Sequence, residues 1–193
     1  MKPFSHLHTH SHYSLLNALP KVDELVKAAK KDGMEALALT DNGNLYGAIE
    51  FYKECKGEGI KPILGVDFYV AVRTRTDQQA GVDNSRYRLI LLAKDIEGYR
   101  NLVALVTESH LTGFYYKPRI DRELMEKYKG GLLAIIPSFS GETSAALKMH
   151  DHERAEAAAK FYVDTYGAEN TFLEITHHPE IDGQKELSEQ IIL

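Results

Sequence analysis

Four histidines occupy alternate positions near the start of the chain, at His6, His8, His10 and His12. Residues two apart on an extended strand point to the same face, so these rings would share one side of a strand. Imidazole is a frequent ligand of transition metals and titrates near neutral pH. The pattern therefore predicts a metal or phosphate site on a first strand. A polar strand end is the alternative, because the interrupted spacing and the apolar residues that follow argue against an expression tag.

The elements that would position this strand alternate along the chain. The predicted strands are the histidine segment and residues 35–40, 61–72, 87–93, 131–137 and 171–176. The predicted helices cover residues 22–33, 46–56, 96–109, 142–149 and 152–166, a short helix after Asp121, and a last helix from Asp182. This order predicts parallel strands joined by right-handed crossovers, as a β/α barrel or an open doubly wound sheet. Residues 73–85 and 111–120 are predicted to be loops.

Polar residues stand where several of these strands end. They are His8, His10, Asp41, Ser138, His177 and His178. In a β/α barrel the active site lies at the carboxyl ends of the strands, so we expect these side chains to share one mouth. Asp67 and Arg88 lie within their strands and are predicted to join the site or to form a structural ion pair.

Composition restricts the classes of protein that remain. The 193 residues suit one domain, or a large piece of one, and no apolar run approaches the roughly 20 residues that span a bilayer. The net charge of −5 argues against a protein that coats nucleic acid. Cys55 is the only cysteine, so no intramolecular disulfide can form. With no predicted signal peptide, these features favour a cytoplasmic protein without a membrane partner.

Two segments resemble the opening of the polymerase and histidinol phosphatase (PHP) domain. They are residues 6–16 (HLHTHSHYSLL) and residues 38–47 (ALTDNGNLYG). Residues 59–65, 91–94, 98–102, 110–120 and 140–142 are similar, more narrowly, to the branch at the N-terminus of bacterial replicative DNA polymerase III alpha subunits. These matches run along nearly the whole chain, and the aromatic stretch HLTGFYYKPRI is typical of the polymerase branch.

The resemblance implies an α/β fold, a distorted (β/α)7 TIM-like barrel in which residues 1–193 end before the last strand. Active members of the family bind up to three metals, often zinc, manganese or iron, and hydrolyse phosphoesters. The implied parent is a DNA-directed DNA polymerase with magnesium at a palm domain outside these residues. Its implied partners are the rest of the polymerase chain, a separate proofreading exonuclease subunit, and DNA reached through the parent enzyme.

The ligand positions that the resemblance implies are only partly filled by ligands. His8 and His10 match the first ligand pair, and Asp67 stands at the position of a bridging glutamate. At the remaining ligand positions the chain has residues that bind a metal weakly or not at all, namely Asn17, Asn42, Arg88 and Ser138. A guanidinium stays protonated, so Arg88 cannot coordinate a cation and would repel one or attract an anion.

We therefore expect a degenerate site with no assignable catalytic residue. Zinc or manganese could bind only at a residual group made of His8, His10 and Asp67. Arg88, Asp41 and His178 are expected to act as anion-binding or structural groups of the barrel mouth.

Two functions remain open. The missing ligands favour a scaffold that stabilises the polymerase and docks the exonuclease. The rival is a metal-dependent phosphoesterase or 3′-5′ exonuclease of the PHP family acting on its own, supported by the His-X-His pattern and the negative net charge. We expect Phe114, Tyr115 and Tyr116 to pack or to contact another domain rather than to stack on bases, because only Lys117 and Arg119 accompany them.

Overall fold

A computed structural model describes residues 4–176, 178 and 180–192 of the chain. The helices are α1 Val22–Lys31, α2 Ala48–Glu58, α3 Ile96–Leu111, α4 Arg122–Lys127, α5 Glu142–Lys148, α6 His152–Tyr166 and α7 Gln184–Ile192. The strands are β1 Ala36–Leu39, β2 Lys61–Ala71, β3 Arg86–Ala93, β4 Phe114–Tyr115, β5 Lys117–Ile120, β6 Leu132–Ile136 and β7 Thr171–Leu173. His177, a predicted member of the site, lies outside the described residues. No helix within the described part of the chain is long and apolar enough to cross a bilayer.

Local signals explain why most helices begin and end where the sequence predicts. The carboxylates of Asp95, Asp121 and Asp151 each accept a hydrogen bond from the backbone N–H three residues further along, at the start of α3, α4 and α6. Such a cap satisfies one of the N–H groups that a first helical turn leaves unpaired. Gly59 ends α2 at φ +74°, a left-handed conformation that glycine adopts without strain. The predicted helices are therefore confirmed to within a few residues.

The strands form a mixed seven-stranded sheet in the described part of the chain, with β2 near its centre. β2 pairs in parallel with β1 along its first half and with β5 at its end. β3 runs antiparallel to both β2 and β6, and β7 pairs in parallel with β6. The prediction of uniformly parallel strands is wrong at β3. Residues 72–85 contain no crossover helix, and a parallel pair needs one of a dozen or more residues.

The predicted loop at residues 111–120 is also wrong. Phe114 pairs with Pro118 and Tyr115 with Lys117, which makes β4 and β5 a short hairpin. Tyr116 turns the chain between the two strands at φ +59°. β5 then pairs with the end of β2, so the hairpin is part of the sheet. β4 and β7 end the sheet and do not pair with each other among the described residues, so the sheet is not closed there.

The histidine segment runs beside β1 without becoming a regular strand. The carbonyl of His6 accepts from the N–H of Ala38 at 2.9 Å, and the carbonyl of Thr9 accepts from the N–H of Thr40 at 2.8 Å. The N–H of Thr9 instead donates to the Thr40 hydroxyl at 2.9 Å. A side chain thus replaces a backbone partner, which interrupts the pairing ladder.

This irregular pairing changes the predicted face of four rings. His8 and His10 do share one side, with ring centroids 5.0 Å apart. His6 is exposed, and the ring of His12 packs against Tyr13 at 4.2 Å. The expectation that all four rings would face one site is therefore wrong, and two of them reach it.

Alternation along β2 and β3 decides which side chains face the site. Leu89 and Leu91 pack into the main core with α3, α4 and α6, whereas Ile90 faces the opposite, inner side. Arg88 lies two residues before Ile90, and Asp67 pairs with Ile90 across the strands. Because strand side chains alternate with a period of two, Arg88 and Asp67 share the inner face.

Candidate functional site

Asp67 is the centre of the site, and its side chain is only 4% exposed. Its Oδ2 accepts from the Nε2 of His8 at 3.2 Å and from the Nε2 of His10 at 3.1 Å. Its Oδ1 accepts from the Nε of Arg88 at 2.8 Å, and the Nη2 of Arg88 donates to Oδ2. One buried carboxylate thus accepts from three different side chains.

These donors determine the charge of the carboxylate. Burial alone would raise the pKa of Asp67, because it disfavours the charged form. The hydrogen bonds from His10, His8 and Arg88 outweigh burial and hold the pKa well below its usual range. Asp67 is therefore ionised at neutral pH.

His8 is bound between two carboxylates. Its Nε2 donates to Asp67, and its Nδ1 lies 2.7 Å from the Oε1 of Glu174, just after β7. Burial opposes protonation of the ring, but the hydrogen bonds and charges of Asp67 and Glu174 outweigh it and raise the pKa of His8 to about 9. At neutral pH the ring is an imidazolium that donates from both nitrogens and has no lone pair for a metal.

Arg88 provides a second fixed positive charge. Besides its two bonds to Asp67, its Nη2 donates to the Oδ1 of Asn42, and its guanidinium lies 4.2 Å from the ring centroid of Tyr69. Burial lowers the pKa of Arg88, but Asp67 raises it more, so the net change is upward. The turn after β1 brings Asn42 here, because the N–H of Gly43 donates to the Asp67 carbonyl at 2.9 Å.

His8, His10 and Asp67 form a group that could hold one metal ion, since their ligand atoms lie within 4.8 Å of one another. As arranged, however, the donor set does not fit a cation. Both oxygens of Asp67 accept from Arg88, and His8 is protonated. A metal would have to displace the guanidinium and release a proton from the imidazolium.

The side chains of Asp41, Ser138 and His178 make other contacts, although the backbone carbonyl of Asp41 accepts from the N–H of Asp67 at 3.2 Å. Asp41 is buried and accepts from the N–H and the hydroxyl of Ser11, at 2.7 and 2.8 Å, and from the hydroxyl of Ser14 at 2.6 Å. It fastens the chain just after the histidines. The Ser138 hydroxyl lies 2.7 Å from that of Thr176.

His178 stands farther out, on the surface. Its Nδ1 lies 3.0 Å from the Oε1 of Glu180, and its ring packs near Phe139. Within the described part of the chain it makes no hydrogen bond to Arg88 or Asp67. His178 lines the cavity beside β7, which His8 and Glu174 of the Asp67 cluster also line.

Sequence reasoning missed Glu174 as a partner of His8. Its only sequence signal is a lone acidic residue in the apolar run TFLEIT. The N–H of Glu174 donates to the Ile136 carbonyl at 2.9 Å, so the end of β6 fixes its position. This contact joins residues 166 positions apart, which no local pattern could show.

An open polar cleft of about 610 Å³ lies above the Asp67 cluster. Amide side chains line it at Asn17 and Asn42, two positions where the resemblance implies metal ligands. Segment 84–88 contributes another wall through Arg86 and Arg88. Such a surface can bind an anion through hydrogen bonds, whereas amides are poor ligands for zinc or manganese.

Comparisons with known proteins identify the family of this chain. The model of the PHP domain family matches residues 6–178. The chain is 41% identical over 190 residues to DNA polymerase III subunit alpha of Treponema pallidum, covering 98% of this chain and 16% of that protein. It is 42% identical over 180 residues to the same subunit of Aquifex aeolicus, covering 90% and 15%. The chain thus spans about one sixth of the length of these relatives.

A solved structure shares the fold at low sequence identity. It is a proposed metal-dependent phosphoesterase from Bifidobacterium adolescentis, with a TM-score of 0.59 and 14% identity. The alignment covers 97% of this chain and 82% of that one. The likeness shows a shared fold, and the match of the family model to residues 6–178 shows that this chain belongs to the PHP domain family.

Proposed function

We propose that this chain is the PHP domain of a bacterial replicative DNA polymerase III alpha subunit and acts as a scaffold. The observation that carries the proposal is the guanidinium of Arg88 on both oxygens of Asp67. Arg88 and protonated His8 balance the carboxylates of Asp67 and Glu174. The cluster is therefore neutral without a metal ion.

The wider role is proposed from the relatives. The parent chain would be a cytoplasmic DNA-directed DNA polymerase with magnesium at a palm domain outside residues 1–193. This domain would pack against the rest of that chain and dock a proofreading exonuclease subunit, and DNA would reach it through the parent enzyme. An apolar cleft between β7 and residues 4–8 is where further chain would complete a distorted (β/α)7 barrel.

A second candidate function is a metal-dependent phosphoesterase or 3′-5′ exonuclease. The convergence of His8, His10 and Asp67 within 4.8 Å favours it. Zinc or manganese would bind these three side chains and supply an activated water. For this function, Arg88 would have to leave Asp67 when the metal binds.

Metal content separates the two functions. We would measure zinc, manganese and iron by mass spectrometry in protein purified without chelators, and assay phosphoester and 3′-end hydrolysis. The double variant His8→Asn/His10→Asn tests the site. His150→Asn/His152→Asn is a matched control, because these residues have the same spacing on the surface after α5.

For the scaffold we expect well under one metal per chain, the same content in both double variants, and no hydrolysis. One or more metals per chain that are lost only in the His8/His10 variant would overturn the proposal. Hydrolysis that disappears in that variant alone would do the same.

A further inference from the structure

An apolar groove separates α2 from α3 on the side of the sheet that these helices cover. Its volume is about 450 Å³, and apolar side chains of both helices and of the strands beneath them line most of it: Ile49, Tyr52, Leu64, Ala93, Ile96 and Tyr99. None of its described lining residues also lines the cleft above Asp67. The groove is therefore separate from the candidate site.

The core does not use the side chains that form the walls of the groove. α2 packs Phe51 and Cys55 into the core. Ile49 and Tyr52, on another face of the helix, are 58% and 46% exposed, and Ile96 at the start of α3 is 64% exposed. Large apolar side chains that are exposed together and bordered by polar residues mark an interaction site.

The face of α2 that borders the groove is basic. Residues three, four and seven positions apart share one side of a helix, so Lys53 and Lys56 lie on the side of Ile49. Both lysines are exposed, and the Nζ of Lys56 lies 5.8 Å from the centroid of the Tyr52 ring. Two positive charges thus stand beside the apolar wall that α2 provides.

The acidic residues of α2 lie on a different side of the helix. Glu50, Glu54 and Glu58 follow one another at intervals of four, on a face that lies about 100–180° around the helix from the groove. The hydroxyl of Tyr13 donates to the Glu50 carboxylate at 2.9 Å. The Nζ of Lys30 donates to the Glu58 carbonyl, so the acidic face is turned toward α1 and the segment before it.

α3 repeats this arrangement on the opposite wall. Arg100 lies four residues after Ile96, on the groove side of the helix, and Lys94 lines the groove just before the helix. Asp95 also lines the groove, but its carboxylate caps the first turn of α3, and Glu97 points toward the turn before β6. The groove is therefore apolar inside with positive charge along both walls, on a chain whose overall charge is −5.

Shape and charge restrict what can occupy the groove. A channel between two helices suits a third helix whose apolar residues recur at the same spacing of three and four. Acidic residues along the edges of that helix would face the basic walls, whereas the same groove of a second copy would bring like charges together. The fitting occupant is therefore an acidic amphipathic helix.

We propose that the groove between α2 and α3 binds an acidic amphipathic helix of the same polypeptide, from outside residues 1–193. This chain spans about one sixth of the length of its relatives, so a helix of the parent chain would be present at a high effective concentration. The inference rests on the proposed scaffold function and adds the surface that is used and the chemistry of the segment that covers it.

Site-specific photo-cross-linking tests the proposal in the protein expressed from its complete gene and purified. The photoreactive residue p-benzoylphenylalanine is placed at Tyr52 on one wall or at Ile96 on the other, and mass spectrometry maps the peptide that each position captures. The groove variant is Lys53→Glu/Lys56→Glu. The matched control is Lys127→Glu/Lys129→Glu, which also reverses two exposed lysines, one of them 5.0 Å from a tyrosine ring but on α4.

We expect both positions to capture one and the same segment beyond residue 193, with acidic residues on either side of an apolar stripe. The yield should fall about fivefold or more in the groove variant, because two attractions become repulsions, and should not change in the control. Replacing the acidic residues of the captured segment by lysine should restore the yield in the groove variant.

Three results would overturn the inference. They are capture of different segments from the two walls, cross-links only to a second copy or to a co-purifying protein, and equal yields in the wild type and the groove variant. A gene that ends shortly after residue 193 would refute the proposed polymerase role itself, whereas a long polymerase chain without these cross-links would refute the role of the groove alone.

Discussion

Replacing Arg88 by methionine tests whether a guanidinium stands in for a metal. The change leaves a buried carboxylate, 4% exposed, without the guanidinium that bonds both of its oxygens. Removing one member of a buried ion pair costs about 3–5 kcal/mol. His8 and His10 still donate to Asp67, so we expect the low end, about 3 kcal/mol, in the free energy of urea unfolding at pH 7.

Zinc should then stabilise Arg88→Met but not the wild type. In Arg88→Met the three ligand atoms are free of the guanidinium, and zinc at about 100 times its dissociation constant would restore about 2.7 kcal/mol. The wild type should gain nothing at the same zinc concentration. This difference separates loss of a charge partner from simple loss of packing.

Arg86→Met is the matched control for that experiment. Arg86 lies on the same strand, donates to the backbone carbonyl of Asn84 and lies 5.3 Å from the Tyr69 ring centroid, but it pairs with no buried carboxylate among the described residues, so its replacement should change stability by less than about 1 kcal/mol. If Arg88→Met were as stable as Arg86→Met and did not respond to zinc, Arg88 would not act as the counter-charge of Asp67, and the reasoning would be refuted.

Three further predictions concern pH, a buried guanidinium and a close contact. The pKa of His8 rises from 6.5 to about 9 on folding, so protonation of the ring adds about 3 kcal/mol to the free energy of unfolding below pH 6.5. This contribution is lost as pH rises through about 9, so the melting temperature should fall over that range in the wild type and change less in His8→Gln. Arg119→Met should cost about 3 kcal/mol in chemical denaturation, because the carbonyls of Asp83, Arg75 and Asp77 lose this donor, whereas that of Gly113 keeps the backbone N–H of residue 119; a cost under about 1 kcal/mol would contradict this. Gly65→Ala should lower stability by about 1–3 kcal/mol, since its Cβ would lie 2.5 Å from the Cδ2 of Leu92, whereas Gly57→Ala, in open space on α2, should raise it by up to about 1 kcal/mol; equal melting temperatures would show that the sheet adjusts.

The parts of the fold that the sequence predicted correctly depend on local signals. Helix starts at Asp95 and Asp121 follow from a short acidic cap, and the buried strands follow from continuous apolar runs. The direction of β3 depends on how residues 72–85 return to the sheet, and this is a long-range property. The sequence did not predict the β4–β5 hairpin, because residues 117–120 (KPRI) have no alternating apolar pattern. β5 nevertheless pairs with the end of β2.

The candidate site also combines contacts that the sequence indicated with contacts that it did not. The sequence indicated that Asp67 and Arg88 could form a pair, because the family resemblance places both at ligand positions of one site, and the structure joins them at 2.8 Å. It did not indicate Glu174, whose carboxylate reaches His8 only after β7 pairs with β6. It placed Asp41 in the mouth, whereas the hydroxyls of Ser11 and Ser14 hold that carboxylate elsewhere.

Arg88 determines more than the charge balance of the carboxylate that it contacts. If a metal ion balanced the charge of Asp67, the site would form only when that ion is available and the ligands have lost their protons. A guanidinium supplies its charge at every physiological pH and is part of the chain. With the charge of Asp67 balanced in this way, the ring of His8 carries a proton between Asp67 and Glu174. The cluster therefore links the histidine segment, β2, β3 and the end of β7 through side chains of the chain itself, as the proposed scaffold would require.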